Sequence, residues 1–346
     1  MRKILLLMIL IAFTVIPANA MDFTAPTAPD AAQEYMPEDT ESFAQGLWYV
    51  IKTAISKIEP SLAEAGSVCL SLFAVILLVS LIQCISNSSQ KIAQLVATLA
   101  IGVLLIYPTN SLIKLGAETI SQLSDYGKLL LPVLTGALAA QGGTALSAAL
   151  YTGTVIFDAV LSSVISDMII PMLYIYLCLC IASSAMSENL LKKLRDFVKW
   201  AMTWALKIVL YVFTGYISIT GVVSGTADAS ALKAAKLAIS GAVPVVGGIL
   251  SDASETILVS AGVLKSAVGV YGLLAILAVW IGPFLQIGSQ YLLLKFTSAI
   301  CSVVGTKESC ALIEDFSGAM GLLLAMTGTI CLLLLISTVC FMKGVS

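Results

Sequence analysis

The stretch GAMGLLLAMTGTICLLLLISTVCFM, residues 318–342, contains no charged side chain. A spanning helix needs about 20 mostly apolar residues, so this stretch is long enough to cross a bilayer. Three further clear spans occupy residues 66–86, 92–112 and 200–224. Hydrophobic residues make up 59% of the 346-residue chain and charged residues 11%, whereas a soluble domain carries roughly 25% charged residues. The sequence therefore predicts an all-α, polytopic integral membrane bundle.

Two other stretches, residues 129–187 and 237–304, are apolar but interrupted by glycine, proline and isolated charges, which predicts broken helices. LPVLTGALAAQGGTALSAA (131–149) aligns without a gap with VPVVGGILSDASETILVSA (243–261), with Pro132 opposite Pro244. At the same offset Pro171 falls on Pro283. We interpret this as an internal repeat with copies at 92–190 and 204–302, and chance similarity between apolar runs remains the alternative.

The N-terminus has the features of a secretory signal peptide. Arg2 and Lys3 precede a short apolar run, and Ala18-Asn19-Ala20 ends it. This pattern predicts cleavage after Ala20, giving a signal peptide at 1–20, and an uncleaved anchor helix is the alternative.

An extracytoplasmic segment, residues 21–65, follows the signal peptide. Its first part is acidic and rich in proline, and residues 43–65 show a helical apolar period. The period predicts an amphipathic helix on the outer face or against a partner, or else a simple lead-in to the first span. The remainder, 66–346, is the predicted multi-spanning domain.

Orientation follows from the signal peptide and from the basic loop around Lys192, Lys193, Arg195 and Lys199, which the positive-inside rule places in the cytoplasm. An odd number of crossings must then lie between residues 113 and 191. We predict three, at 129–150, 152–169 and 171–187. If the repeat holds, the loop at 305–317 is also cytoplasmic.

Ionisable and helix-breaking residues inside apolar segments are functional candidates, because they are costly in lipid unless paired or hydrated. Asp252 and Glu255 lie on one helical face after PVVGG and could line a polar path, or Asp252 could cap a helix. Gln286 and Gln290 are uncharged companions. Glycines such as Gly215, Gly269 and Gly272 favour either close helix contacts or subunit packing, for which a homo-oligomer is one candidate arrangement. The candidate pathway or helix-packing residues are Pro132, Gly136, Asp158, Asp167, Pro244, Gly247, Gly248, Asp252, Glu255 and Lys265.

Several function classes find no support in the sequence. The chain contains no histidine, no CxxC pair and no GxxxxGK[ST] loop, and its net charge is −2. Histidine is the commonest general base and metal ligand. We therefore predict no catalytic residues, no cofactor, no bound metal and no nucleic-acid partner.

AAKLAISGAVPVVGGILSDASETILVSAGVLKSAVGVYG (234–272), PFLQIGSQYLLLKFTSAI (283–300) and EDFSGAM (314–320) resemble the stage III sporulation protein AE family over essentially the whole chain. The resemblance implies a multi-pass subunit in the outer forespore membrane, made in the mother cell of an endospore-forming bacterium. Its implied partners are the stage III sporulation proteins AA to AH and the forespore protein Q, which form a channel or secretion-like complex. A self-sufficient secondary transporter for a small solute is the alternative.

Overall fold

The computed structural model describes residues 25–37, 42–85, 90–140, 144–186, 189–219 and 267–345, and all regular secondary structure in these ranges is helical. The helices are α1 (Asp30–Gln33), α2 (Phe43–Ser56), α3 (Glu59–Ile85), α4 (Gln90–Ala140), α5 (Thr144–Ser163), α6 (Ile170–Met186), α7 (Asn189–Ile219), α8 (Ala267–Val304) and α9 (Lys307–Val345). A π-helical segment, Val164–Ile169, joins α5 to α6. The predicted all-α class is confirmed.

Six helical stretches in the described residues are long and apolar enough to cross a membrane. They are Glu59–Ile82, Ile92–Ala139, Ser147–Met186, Asn189–Ile217, Val268–Val304 and Lys307–Met342. The predicted spans at 66–86, 92–112, 200–224 and 318–342 all overlap these stretches. The polytopic character of the chain is therefore confirmed by helix length and composition.

Helix α9 is the central element of the bundle. It packs mainly against α8 and α4, with further contacts to α5, α6 and α7. In its most apolar window 94% of the residues are buried, compared with 22% in α3. Because α9 is surrounded by protein, its hydrophobicity serves helix packing, and the outward apolar faces of α3, α4 and α7 are the surfaces available to lipid.

Helices α4 and α9 run parallel to each other. A Cβ at Gly116 would lie 2.6 Å from a methyl carbon of Leu323, and one at Gly127 would lie 2.7 Å from a methyl carbon of Leu334. Gly116 and Gly127 are eleven residues apart on α4, and so are the two leucines that they face on α9. The two helices therefore remain in register over about three turns. Glycine at these positions allows the two backbones to approach closely.

The continuous run from α5 to α6 is antiparallel to α4. Ser124 contacts Asp158, and earlier on α4 Asn110 contacts Tyr174, which lies later on the returning helix. The two are antiparallel neighbours, as the short connection between them requires.

The ends of α6 and α8 and the starts of α4, α7 and α9 share one end of the bundle. Ile181 near the end of α6 contacts Gly102 near the start of α4, and Arg195 near the start of α7 contacts Asp315 near the start of α9. We call this the basic end, because it carries Lys192, Lys193, Arg195, Lys199, Lys295 and Lys307. The residues predicted to lie in cytoplasmic loops, Lys192 to Lys199 and 305–317, are therefore at the same end of the bundle, largely within the first turns of α7 and α9. Which membrane face that end meets stays a prediction.

The three crossings predicted between residues 113 and 191 are not three separate helices. The segments predicted at 152–169 and 171–187 belong to one continuous run as far as Met186, and the element predicted at 129–150 is divided between α4 and α5. The predicted break at Pro132 is wrong. Pro132 and Gly136 lie inside the unbroken α4, and the returning run from 144 to 186 is one continuous helix with a π-helical segment. Proline removes one backbone hydrogen bond, but neighbouring helices and hydroxyl side chains compensate in a packed bundle.

Helix α4 is too long for a single crossing. At about 1.5 Å per residue its 51 residues extend about 75 Å, more than twice the roughly 30 Å of hydrocarbon in a bilayer. Four charged residues, Lys114, Glu118, Asp125 and Lys128, divide it into two apolar parts. The first apolar part packs against α3, and the four charged residues form a polar layer in the middle of α4.

The leader segment docks on α8 of its own chain. Ser42 caps α2, accepting from the backbone N–H of Gln45 at 3.4 Å, and α2 covers Phe43–Ser56 of the stretch 43–65 that shows the apolar period. Its predicted extracytoplasmic position stays a prediction. The backbone N–H of Ala28 donates to Tyr271 Oη at 3.3 Å, and Lys57 pairs with Glu34 at 2.6 Å. The Ala28 bond and the packing of α1 and α2 on α8 hold this segment against the bundle, and the Lys57–Glu34 pair joins its two described parts, residues 25–37 and 42–57.

The internal repeat stays a prediction. At the proposed offset, the end of α6 at Met186 corresponds to Ser298, which lies inside α8, whereas α8 ends at Val304. The helix boundaries therefore do not keep the register of the sequence alignment in this part. Most of the second predicted copy's interrupted segment lies outside the described residues.

Candidate functional site

A buried ion pair joins α7 to α9 at the basic end. Arg195 Nη1 donates to Asp315 Oδ2, and the two side chains are only 15% and 13% exposed. Arg195 also donates to Asp196 Oδ1 from Nη2 at 2.8 Å and from Nε at 3.0 Å. Charges removed from water are stable only when paired and hydrogen-bonded, and both groups meet this condition.

Helix α6 contributes to the same cluster. Tyr176 Oη donates to the backbone carbonyl of Asp315 at 3.2 Å. A Cβ at Gly318 would lie 2.8 Å from Lys199 Nζ, so the absence of a side chain leaves room for that ammonium group. We call Tyr176, Arg195, Asp196, Lys199 and Asp315 the closed cluster. It ties three helices together through paired charges.

Sequence reasoning did not identify the closed cluster as a site. Arg195 was interpreted only as a loop charge that sets orientation, and Asp315 only as part of the acidic EDFSGAM motif. One signal could have found the pair: Arg195 is the only arginine after Arg2. Arginine is preferred over lysine where a carboxylate is bound in a buried position.

Asp158, a predicted site residue, lies at a contact between helices in the bundle interior. Asp158 is 4% exposed, and Ser124 Oγ donates to Asp158 Oδ2 at 2.6 Å. Its second oxygen, Oδ1, has no hydrogen-bond partner within the described residues. One turn earlier, Thr154 Oγ1 donates to Ser337 Oγ of α9 at 2.9 Å. Polar side chains of α4, α5 and α9 therefore meet at one level.

The other predicted residues of the first half are not part of that contact. Asp167 lies in the π-helical segment, is exposed, and accepts from Ser163 Oγ at 2.8 Å. Nine residues separate it from Asp158, which on a helix of about 3.6 residues per turn places the two on opposite faces. Pro132 is exposed and Gly136 is half-buried in α4. The structure does not bring these four residues together.

The predicted residues of the second half, Pro244, Gly247, Gly248, Asp252, Glu255 and Lys265, lie outside the described residues. The expectation of close contacts at glycines is confirmed at two positions. A Cβ at Gly269 would lie 2.4 Å from the sulfur of Met342, and one at Gly272 would lie 2.8 Å from Leu130 methyl carbons. At Gly215 a Cβ would meet nothing within 4 Å.

A polar cavity of about 340 Å³ lies between the start of α3, the middle of α4 and the middle of α8. We call it the open cavity. Its lining includes Glu64, Lys114, Glu118, Gln286 and Gln290. Gln290 is 4% exposed, and its Nε2 has no hydrogen-bond partner in the described part of the chain. Sequence reasoning noted the two glutamines but did not connect them to the charged residues of α3 and α4.

The described helices thus define a polytopic helical membrane protein with a protein-enclosed central helix and two contrasting polar clusters. Within the described ranges, no group of three His, Cys, Asp or Glu side chains is arranged to hold a metal ion.

Comparison with known proteins identifies the family. A model of the stage III sporulation protein AE family matches residues 33–344, so the chain belongs to this family. It is similar to the stage III sporulation protein AE of Bacillus subtilis (strain 168), with 24% identity over 271 residues, covering 77% of this chain and 67% of the relative. No solved structure matches.

Proposed function

We propose that this chain is a membrane subunit of the stage III sporulation channel or secretion-like complex between mother cell and forespore, and that it is required for endospore development. Family membership carries the proposal. The partners would be the stage III sporulation proteins AA to AH and the forespore protein Q, and the location would be the outer forespore membrane. The energy for transport would come from another subunit.

The surface of the bundle supports a role within an assembly. The outward face of α7 carries an aromatic row in which Phe197 stacks on Trp200 at 5.9 Å between ring centroids and Trp200 lies 6.1 Å from Trp204. Tyr107 of α4 is also exposed. Such faces suit lipid contact or packing against other membrane subunits.

The alternative, a self-sufficient secondary transporter, is favoured by one observation, the unpaired buried oxygen of Asp158. Buried carboxylates at helix contacts serve as proton or cation sites in transporters. Replacing Asp158 with asparagine keeps the shape and removes the charge. A transporter coupled through this carboxylate should lose solute uptake in proteoliposomes containing the purified chain alone, whereas the subunit role predicts no uptake by either protein.

The primary test is genetic. Deleting the gene from an endospore former that carries it should leave vegetative growth unchanged and reduce heat-resistant spores by orders of magnitude, and a wild-type copy should restore them. Normal spore yield in the deletion strain would contradict the proposal.

We also propose cleavage after Ala20, an extracytoplasmic leader at 21–65 and a cytoplasmic basic end. Single cysteines placed on a cysteine-free background at Lys193 and at Lys114 should be labelled from opposite sides of the membrane. Labelling of both from one side would contradict this orientation, and a mature N-terminus other than Met21 would contradict the cleavage.

A further inference from the structure

The open cavity combines groups of opposite chemistry that do not satisfy one another. Glu64 of α3 and Lys114 and Glu118 of α4 line it, and within the described residues none of the three has an ion-pair partner within 4 Å. Ionisable groups in apolar segments are costly unless they are paired or hydrated. All three are exposed, so each is free to contact solvent or a ligand that enters the cavity.

A second and independent feature points to a ligand. Gln290 of α8 is buried and lines the same cavity, yet its Nε2 donates no hydrogen bond to any described residue. A buried amide that makes no hydrogen bond is unfavourable. Gln286 lies one turn earlier and also lines the cavity. Both amides are on α8, which packs extensively against α9.

The size of the cavity and its mixture of groups restrict the ligand. A volume of about 340 Å³ is at the lower end of the range for small-molecule sites, roughly 300–1,000 Å³. Two carboxylates favour a cation, but Lys114 and the unpartnered amide N–H donors disfavour a bare metal ion and favour an anionic group beside it. A small molecule with an ammonium group close to an anionic group would match both the two carboxylates and the Lys114 and amide donors.

We propose that the open cavity binds a small zwitterion, with its primary ammonium group at Glu64 and Glu118 and its anionic group at Lys114 and Gln290. A free amino acid has this chemistry, and so does the phosphoethanolamine head group of a lipid. The cavity is open to the outside of the bundle at the level where the apolar parts of α3 and α4 end, so both sources can reach it.

The test uses the full chain in nanodiscs of phosphatidylglycerol alone, titrated with glycine or with O-phosphoethanolamine, and a second set of nanodiscs that also contain phosphatidylethanolamine. Binding is measured by calorimetry and by the shift in the unfolding midpoint. Saturable binding of the soluble probes supports a free solute. A higher midpoint only in the phosphatidylethanolamine nanodiscs supports a lipid head group.

Variants assign the binding to this cavity. Glu118→Gln and Gln290→Leu should each weaken the binding, or the lipid-dependent stabilisation, about tenfold or more. Glu118→Gln removes the negative charge that faces the ammonium group, and Gln290→Leu removes the amide donor to the anionic group. Glu59→Gln is the matched control for Glu118→Gln, since Glu59 is also an exposed glutamate and, on α3, does not line the cavity. Glu118 is exposed, so its variant should fold even if Gln290→Leu does not.

Three results would overturn the proposal. These are no saturable effect of any probe, equal effects in Glu118→Gln and Glu59→Gln, and binding of inorganic phosphate or calcium alone without binding of the ammonium-bearing probes. Since the readout is binding by the purified chain, its failure would leave the proposed sporulation role unaffected, and a loss of that role would leave this binding unaffected.

Discussion

The closed cluster and the open cavity contain similar groups but differ in how those groups are satisfied. In the closed cluster Arg195 has two carboxylate partners and Asp315 is almost fully buried. In the open cavity Glu64, Lys114 and Glu118 face a volume of about 340 Å³ with a buried unpartnered amide. Polar groups that satisfy one another hold helices together, whereas groups that do not are available for a ligand.

The largest expected effect is in the closed cluster. Replacing Asp315 with alanine leaves Arg195 as a buried charge with only its exposed neighbour Asp196 as partner, which should lower the free energy of unfolding by about 3–5 kcal/mol. The measurement is denaturant or thermal unfolding of the purified protein in detergent. Asp196→Ala is the control, and because Asp196 is mostly exposed it should cost less than about 1 kcal/mol.

The double variant Arg195→Met with Asp315→Leu sharpens this prediction. Replacing both members of a buried pair with apolar residues of similar volume is often neutral, so the double variant should recover most of the stability lost in Asp315→Ala. Losses that simply add would show that the two charges do not act as a pair.

A smaller change in the free energy of unfolding is expected from substitutions at two glycines, Gly318 beside the closed cluster and Gly288 between the two glutamines of the open cavity. Gly318→Leu would force a side chain against Lys199 Nζ and should cost about 1–3 kcal/mol by overpacking. Gly288→Leu on α8, where a Cβ meets nothing within 4 Å, should be neutral or stabilising by up to about 1 kcal/mol. Equal losses for both would mean that the described packing around Gly318 is incorrect.

The smallest effect is expected at Gln290. In the absence of ligand, Gln290→Leu removes an unpartnered amide and should leave the unfolding free energy unchanged or raise it by about 1 kcal/mol. A loss of more than about 2 kcal/mol in ligand-free nanodiscs would show that the amide has a structural partner. The measurement is thermal unfolding of the wild-type protein and the variant in the same ligand-free nanodiscs.

The helices and their membrane character were predictable because apolar length and period are local properties of the sequence. Residues 43–56 show this, since their spacing and the cap at Ser42 define α2. Pro132 shows the limit, because whether a proline breaks a helix depends on the surrounding helices, here those that pack on α4.

The polar clusters were less predictable because they are formed by residues far apart in the chain. Arg195 and Asp315 are 120 positions apart, and nothing local pairs them. The burial of Asp158 and the exposure of Asp167 depend on which face of the helix meets α4. Gln286 and Gln290, four residues apart on one helix, could have been assigned to a shared face from their spacing.

The central claim, that this chain works as a subunit of a sporulation complex, is tested most directly by purifying the tagged, full-length protein from cells that have completed engulfment. The account predicts that stage III sporulation A-operon proteins and the forespore protein Q co-purify in constant ratio, and that a Gly318→Leu variant present at wild-type level but with a disrupted closed cluster loses part of this association. Recovery of the wild-type chain without these proteins, under conditions that keep the other members of the complex together, would contradict it.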